Sequence, residues 1–206
     1  MVISGDHKNS DFRNKNLVSC EFWGADIRGS DFTGADLSRS SFVHMSDIDN
    51  VNFSGANLTG CRFSYSVITN TNFDSSNLTG VFLKSANIKD TSFHNANLTR
   101  ANLYNTVIEN TNFSGAELIG ADISFAQFVG VKCLSEALSI KELNVDDSRR
   151  GFTPIAIKDC DGEYIIYSGC RELTVEEALD HWGSPTYPNK RRGKMYVKGI
   201  LALIKS

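Results

Sequence analysis

Residues 35–37 read Ala-Asp-Leu, and residues 56–58 and 96–98 read Ala-Asn-Leu. These tripeptides belong to a five-residue period between about residues 10 and 130, in which a small residue lies two places before a large apolar centre. The centres recur every fifth residue, apart from a single one-residue delay before Ile48. Apolar residues five apart do not line one face of an α-helix, so the period predicts a solenoid.

Every fourth centre carries a similar side chain. The four columns are Phe12, Phe32, Phe53, Phe73, Phe93 and Phe113; Leu17, Leu37, Leu58, Leu78, Leu98 and Leu118; Phe22, Phe42, Phe63, Leu83, Leu103 and Ile123; and Ile27, Ile48, Ile68, Ile88, Ile108 and Phe128. We name the sides that they line A, B, C and D. Like residues stack on like residues only if four pentapeptides complete one turn, so a coil takes about twenty residues and about six coils precede Gly130.

This pattern resembles the pentapeptide-repeat family, whose consensus is a small residue, Asp or Asn, Leu or Phe, a polar residue and often Gly. The resemblance implies an all-β solenoid, a right-handed quadrilateral β-helix, over residues 10–133. Gly or Asn follows most centres by two places, as the corners of a square coil require. Examples are Asn14, Gly24, Gly29, Gly34, Asn50, Gly55, Gly60, Asn70 and Gly80. We expect the delay to be absorbed as a corner bulge over residues 43–46.

The period ends near Gly130, and ordinary mixed structure is predicted beyond it. The expected segments are an N-terminal lead-in (1–9), a capping helix (134–145), a polar linker (146–151) and a small α+β module (152–206). In the module, a hairpin over residues 152–167 precedes a helix that Thr174 caps together with Glu177, and a last helix follows Pro188. The module resembles tails of some phage and bacterial pentapeptide-repeat proteins, which implies no activity.

Acidic residues are concentrated in the first coils. Residues 1–130 carry a net charge of −4 and residues 131–206 carry +1, giving −3 for the chain. The position before the early centres is acidic, and Asn replaces it in the middle coils. The predicted acidic face comprises Asp26, Asp31, Asp36 and Asp47. It is either a solvated surface or an attraction for a basic partner.

Five aromatic residues outside the columns all lie beside side C. We call them the aromatic stripe: Trp23, Tyr65, Phe82, Tyr104 and Phe125. An exposed apolar stripe is usually covered, here by the C-terminal module, a second copy of the chain or a foreign protein. His44 and Met45 lie beside it at the delay and are either part of a bulge or a contact point.

Cysteine and histidine give little sign of chemistry. Cys20 and Cys61 take small inward positions two coils apart, about 10 Å at 4.8 Å per coil, which is too far for a disulfide. Cys170 and His181 suggest a thiol–base pair, but one cysteine and one histidine at opposite ends of a helix are more often packing and surface residues. No metal-ligand spacing, phosphate loop or dinucleotide motif is present in the sequence. We therefore expect no cofactor and no enzymatic activity.

A basic patch near the C-terminus comprises Lys190, Arg191, Arg192 and Lys194. It opens a predicted helix, where the helix dipole disfavours cations, so helix stability does not explain it. It is a solvated face, a partner for acidic coils of another copy, or a nucleic-acid contact.

Two functions are compatible with these features. The first is a non-enzymatic scaffold that binds a protein partner or a second copy through the aromatic stripe and the C-terminal module. The second is a DNA mimic, because the family resemblance implies that some members imitate B-DNA and bind type II topoisomerases, protecting them from toxins or quinolones. The mild charge of this solenoid favours the scaffold. The start has no signal-like apolar run and no stretch could span a membrane, so we expect a cytoplasmic protein.

Overall fold

A four-sided parallel β-solenoid of about six coils occupies the first two thirds of the chain, as predicted. The computed structural model describes residues 1–45, 47–123, 125–131, 155–158, 164–168, 171–186 and 197. The strands of the solenoid are β1 (Gly5–Asp6), β2 (Ala25–Asp26), β3 (Ile48–Asp49), β4 (Val67–Thr69), β5 (Asn87–Lys89), β6 (Val107–Glu109) and β7 (Gln127–Val129). All lie on side D, where β1 pairs with β2, and β3 to β7 form a five-stranded parallel sheet in chain order. Sides A, B and C are joined by single parallel bridges between successive coils.

The corners explain the Gly and Asn of the repeat. The residue two places after each centre has a positive φ, as at Gly55 with a φ of 63°. On sides A, B and C this residue is the third of a four-residue turn, and the N–H of Ala56, for example, donates to the carbonyl of Phe53 at 3.1 Å. A positive φ there defines a type II turn, which Gly and Asn accept most readily.

Stacked side chains fill the interior. Phe73 is fully buried and stacks between Phe53 and Phe93, with ring centroids 5.1 and 5.0 Å apart. Rings of neighbouring columns meet edge to face, as do Phe63 and Phe73 at 5.9 Å. Both arrangements are favourable for aromatic rings, so the columns stabilise the coils from within.

The two inward cysteines belong to this core. Cys20 and Cys61 are buried and free of disulfides, as predicted. The Cys61 thiol donates to the carbonyl of Leu37 at 2.8 Å, and burial raises its pKa to about 12. A thiol with such a pKa is scarcely ionised at neutral pH and is unreactive.

The one-residue delay is not in the corner itself. The turn that ends at Met45 is regular, since its N–H donates to the carbonyl of Phe42 at 3.4 Å and His44 has a φ of 59°. Met45 is buried at the inward position that Ser66 takes in the next coil. The extra residue therefore falls between Met45 and Ile48, after the corner and at the start of side D, an interval that includes the last position of the predicted bulge.

The C-terminal module contains a three-stranded antiparallel sheet and a helix. Its elements are β8 (Ile155–Lys158), β9 (Tyr164–Ser168), β10 (Arg171–Thr174) and α1 (Val175–Gly183), with β9 between β8 and β10. The predicted hairpin is confirmed, whereas β10 was not predicted. The capping box is confirmed, because Thr174 and Glu177 exchange hydrogen bonds of 3.1 and 2.8 Å.

Several predicted segments lie outside the described residues. They are the capping helix (134–145), the linker (146–151) and most of the last helix, of which Val197 alone is described and is helical. Among the helices that are described, none combines the length and the apolar character needed to cross a membrane.

Candidate interaction surface

The aromatic stripe is exposed in the single chain. Trp23 keeps 78% of its surface, Phe125 52%, Tyr65 50% and Phe82 46%, and Tyr104 is half-buried. Side chains of this size normally bury much of their surface during folding. The stripe thus leaves a large aromatic area in contact with water.

The stripe is not one continuous array of rings. Tyr104 and Phe125 meet edge to face with centroids 5.4 Å apart. Tyr65 instead stacks on His44 at 5.0 Å and 8°. Among the described residues, Trp23 makes no ring contact with another member of the stripe. His44, which the sequence singled out only for its place at the delay, extends the aromatic surface from Tyr65 towards Trp23.

Three aromatic rings project from turn positions that suit Gly or Asn. His44, Tyr65 and Phe125 have φ angles of 59°, 62° and 59° at the edge between sides C and D. The left-handed region costs an ordinary L-residue roughly 1–2 kcal/mol, and it is an outlier for a bulky side chain. The other three edges hold only Gly, Asn, Ser, Asp and Arg at the described corners.

A groove lies at the N-terminal end of the same edge. It has a volume of about 530 Å³, and Trp23, His44, Arg28 and two aspartates contribute to its walls. In the described part of the chain no strand pairing joins β2 to β3, and the extra residue falls there. The groove is therefore the place where the delay interrupts the side D ladder.

Arg28 holds the two aspartates of the groove. Its guanidinium makes a bidentate contact with Asp26 at 2.6 and 2.9 Å and reaches Asp47 of the next coil at 3.0 Å. Lys8 also contacts Asp26 at 3.1 Å. The hydrogen bonds from Arg28 hold the pKa of Asp26 well below its usual range and raise the pKa of the guanidinium.

The four aspartates of the predicted acidic face do not share a face. Asp26 and Asp47 lie on side D, Asp31 bridges to Asn52 on side A, and Asp36 bridges to Asn57 on side B. The residue before each centre lies on a different side from one pentapeptide to the next, so acidity along the sequence does not become a stripe along the solenoid.

Two cations on side C were not identified from the sequence. Arg62 and Lys84 are exposed, and Lys84 Nζ lies 5.3 Å from the centroid of the Tyr104 ring, a cation–π contact. The sequence did contain a signal for these two cations. In the preceding coil, the outward positions next to Arg62 and Lys84 are Ser41 and Ser64, neither of which is acidic.

The remaining predicted site residues lie elsewhere. The basic patch at residues 190–194 and Cys170 are outside the described residues. His181 is exposed in the last turn of α1. Within the described ranges, no group of three or more His, Cys, Asp or Glu side chains is arranged to hold a metal ion.

Comparison with known families gives two matches, both within the solenoid. The profile described as pentapeptide repeats, eight copies, matches residues 8–42, and that of the pentapeptide repeat region matches residues 46–123. Together they span more than half of the chain. A search of curated proteins gave no match.

Several solved structures are similar to this chain. HetL, a pentapeptide repeat protein involved in heterocyst differentiation regulation in the cyanobacterium Nostoc, is 22% identical over 61% of this chain, with a TM-score of 0.39. QnrB1, a plasmid-mediated fluoroquinolone resistance protein, is 20% identical over 68% of this chain and 81% of its own, with a TM-score of 0.33. Rfr23 from Cyanothece is 28% identical over 49% of this chain and 58% of its own, with a TM-score of 0.21. The chain also spans 58% of the length of HetL.

Proposed function

The chain belongs to the pentapeptide-repeat family, and we propose that its solenoid is a non-enzymatic scaffold that binds a protein partner through the aromatic stripe. The observation that carries this proposal is the placement of Tyr65 and Phe125 in left-handed turn positions. Residues kept in unfavourable backbone conformations at the surface commonly mark functional sites.

Folding alone does not account for these aromatic side chains. On the same edge, Gly24, Ser85 and Asn105 fill the equivalent turns of other coils, with a φ of 55° at Asn105. Tyr65 and Phe125 therefore cost backbone free energy and leave about half of their surface in water. Burial against a partner would recover that surface, since aromatic residues are prominent among the residues that dominate binding energy.

A solenoid is a suitable support for such a surface. Each coil contacts only its neighbours, and the stacked columns hold the edge in a fixed register. Sites on rigid elements lose little conformational entropy on binding. We further propose that the C-terminal module contributes to partner binding and that the protein works in the cytoplasm.

The test is the double substitution Tyr65→Asn and Phe125→Asn. Asn accepts the left-handed conformation, so the variant should fold at least as well as the original protein while losing two anchors. The matched control is Arg39→Asn with Arg100→Asn, which changes two exposed left-handed corners on the edge between sides B and C.

Two measurements report on binding. Light scattering gives the mass of the purified proteins, and quantitative capture from an extract of the native host gives their partners. We expect a partner, or a dimer, that the original protein and the control share and that the aromatic variant loses at unchanged urea midpoint. Identical masses and identical captured proteins for all three would contradict the proposal.

A further inference from the structure

Side C carries two cations that no carboxylate neutralises within the described part of the chain, Arg62 and Lys84. Four other cations contact acids, as Arg13 contacts Asp11 at 2.8 Å. Lys15, Arg39 and Arg100 also have no ion pair within the described residues, and Arg62 and Lys84 differ from these three in lying among the exposed rings of the stripe. The nearest acidic position of side C to Arg62 is Glu21, two coils away, or about 10 Å at 4.8 Å per coil. That distance equals about one Debye length, so the two cations are not neutralised by their surroundings.

These cations are surrounded by members of the aromatic stripe. We define the basic–aromatic patch as Arg62, Tyr65, Phe82, Lys84 and Tyr104. Arg62 and Phe82 are bridge partners in successive coils, and Lys84 lies two places after Phe82 on the same outward surface. The N–H of Tyr65 donates to the carbonyl of Lys84 at 3.1 Å, which places the corner ring in the adjoining coil. The patch therefore combines two free positive charges with three exposed or half-buried rings.

We infer that the basic–aromatic patch binds an acidic, extended segment of a partner protein in which two carboxylates and an apolar side chain occupy alternate positions, on one face of the segment. Arg62 and Lys84 stand one coil apart along the axis and two residues apart along the strand, so their backbones are about 8 Å from each other. Carboxylates at positions i and i+2 of an extended segment are separated by about 7 Å. Successive side chains of an extended segment point to opposite faces, so an apolar residue at i−2 or i+4 would share the face of the carboxylates and lie against the rings of the patch. This inference rests on the proposed scaffold function and names the chemistry of its partner.

A second copy docked in register, side C against side C, does not supply that chemistry. The acids of side C, Glu21 and Asp122, are in the first and sixth coils, whereas Arg62 and Lys84 are in the third and fourth. In an antiparallel dimer with its two-fold axis between the third and fourth coils, Glu21 faces Asp122. In a parallel dimer each coil faces its own equivalent. Neither arrangement brings a carboxylate to a cation.

A single-stranded nucleic acid is also a poorer match. Stacking of bases on aromatic rings requires a basic groove that follows the backbone. Here only two cations lie in the patch, and residues 1–130 carry a net charge of −4. The patch is long enough to bind a short acidic segment.

The experiment uses the full chain and three fluorescent probes. They are a short peptide in which two aspartates and a phenylalanine occupy alternate positions with serine between them, its counterpart with lysine in place of aspartate, and a short oligothymidine. Binding is followed by fluorescence anisotropy. The variant Arg62→Asn with Lys84→Asn removes both cations of the patch, and Lys15→Asn with Arg100→Asn removes two exposed cations that lie outside it.

We expect the acidic peptide to bind the original protein and the control equally, and the Arg62/Lys84 variant about tenfold more weakly, with affinity falling as salt rises. The inference is overturned if the acidic peptide does not bind, if the lysine peptide or oligothymidine binds as well, or if both variants bind equally. Loss of a captured host partner in the Tyr65/Phe125 variant, with retention in the Arg62/Lys84 variant, would overturn this inference and leave the scaffold proposal standing.

Discussion

Two edges of the solenoid have the same backbone and different side chains. At the edge between sides A and B, the left-handed corners are Asn14, Gly34, Gly55, Ser75, Asn95 and Gly115; between sides C and D, they are Gly24, His44, Tyr65, Ser85, Asn105 and Phe125. The φ angles of the two sets overlap, so the fold makes the same demand at both edges. The A–B edge meets that demand with small or polar residues. The aromatic residues of the C–D edge are therefore not required by the backbone conformation of the corner.

The largest loss of stability is expected from a substitution in the core, which both edges enclose. Phe73→Asp places a carboxylate between stacked rings in a fully buried position. The loss of Phe packing alone costs about 3–5 kcal/mol, and an unpaired buried charge adds several more. We expect the solenoid to unfold, which circular dichroism and urea titration would show. A folded variant would mean that the columns do not stabilise the coils.

Placing an aromatic residue at an equivalent corner of the A–B edge tests how much stability such a residue costs. Gly55→Tyr introduces on the A–B edge the residue that Tyr65 provides on the C–D edge. A Cβ at Gly55 meets nothing within 4 Å, so the cost is confined to the positive φ. We expect the free energy of unfolding to fall by roughly 1–2 kcal/mol.

The control for this exchange is Tyr65→Asn. Relief of the left-handed strain opposes the loss of the stack on His44, which is worth about 1 kcal/mol, so the free energy of unfolding should change little. Urea midpoints give both values. If Gly55→Tyr is harmless, the backbone argument for a functional C–D edge fails.

Most of the solenoid could be predicted because its rule is local. A five-residue period assigns each residue to a side, and the inward columns and the Gly and Asn corners follow from that assignment. The same counting places Tyr65 and Phe125 at left-handed corners, two places after Phe63 and Ile123, although the prediction described them only as outside the core. Their backbone cost was thus present in the sequence but unrecognised.

Other features depended on relations between coils. The aspartates were grouped by their position within the pentapeptide, and that position moves from side to side, so the predicted acidic face does not exist as one surface. The contact of Arg28 with Asp47 depends on how the chain closes around the extra residue. β10 has four residues and runs directly into α1, where element boundaries are poorly specified by sequence.

A smaller effect is expected from the ion pair that spans the groove. Hydrogen bonds from Arg28 lower the pKa of Asp26 in the folded protein, so this pairing stabilises the fold above the unfolded value of 3.8 and is lost as pH falls below it. Arg28→Ser should lower the urea midpoint slightly at neutral pH, because exposed ion pairs contribute little. The urea midpoints of the two proteins should become equal in acid. A difference that persists or grows at low pH would show that Arg28 acts through packing instead.

The smallest effect, none at all, is expected on a type II topoisomerase. A DNA mimic needs a continuous stripe of carboxylates along its surface, whereas the acids of this solenoid are divided among its sides. Six coils extend about 29 Å at 4.8 Å per coil, and B-DNA of that length carries about 17 phosphate charges. Residues 1–130 carry a net charge of −4, and Arg28 already pairs with Asp26 and Asp47.

We therefore expect the purified protein neither to inhibit supercoiling by gyrase nor to protect gyrase from a quinolone. The informative variant replaces the four early aspartates with asparagine: Asp26, Asp31, Asp36 and Asp47. Because these carboxylates are divided among three sides, their removal should change nothing in a gyrase assay. Inhibition at low micromolar concentration that the variant loses and that added salt weakens would show instead that dispersed acids suffice, and it would favour the DNA mimic over the scaffold.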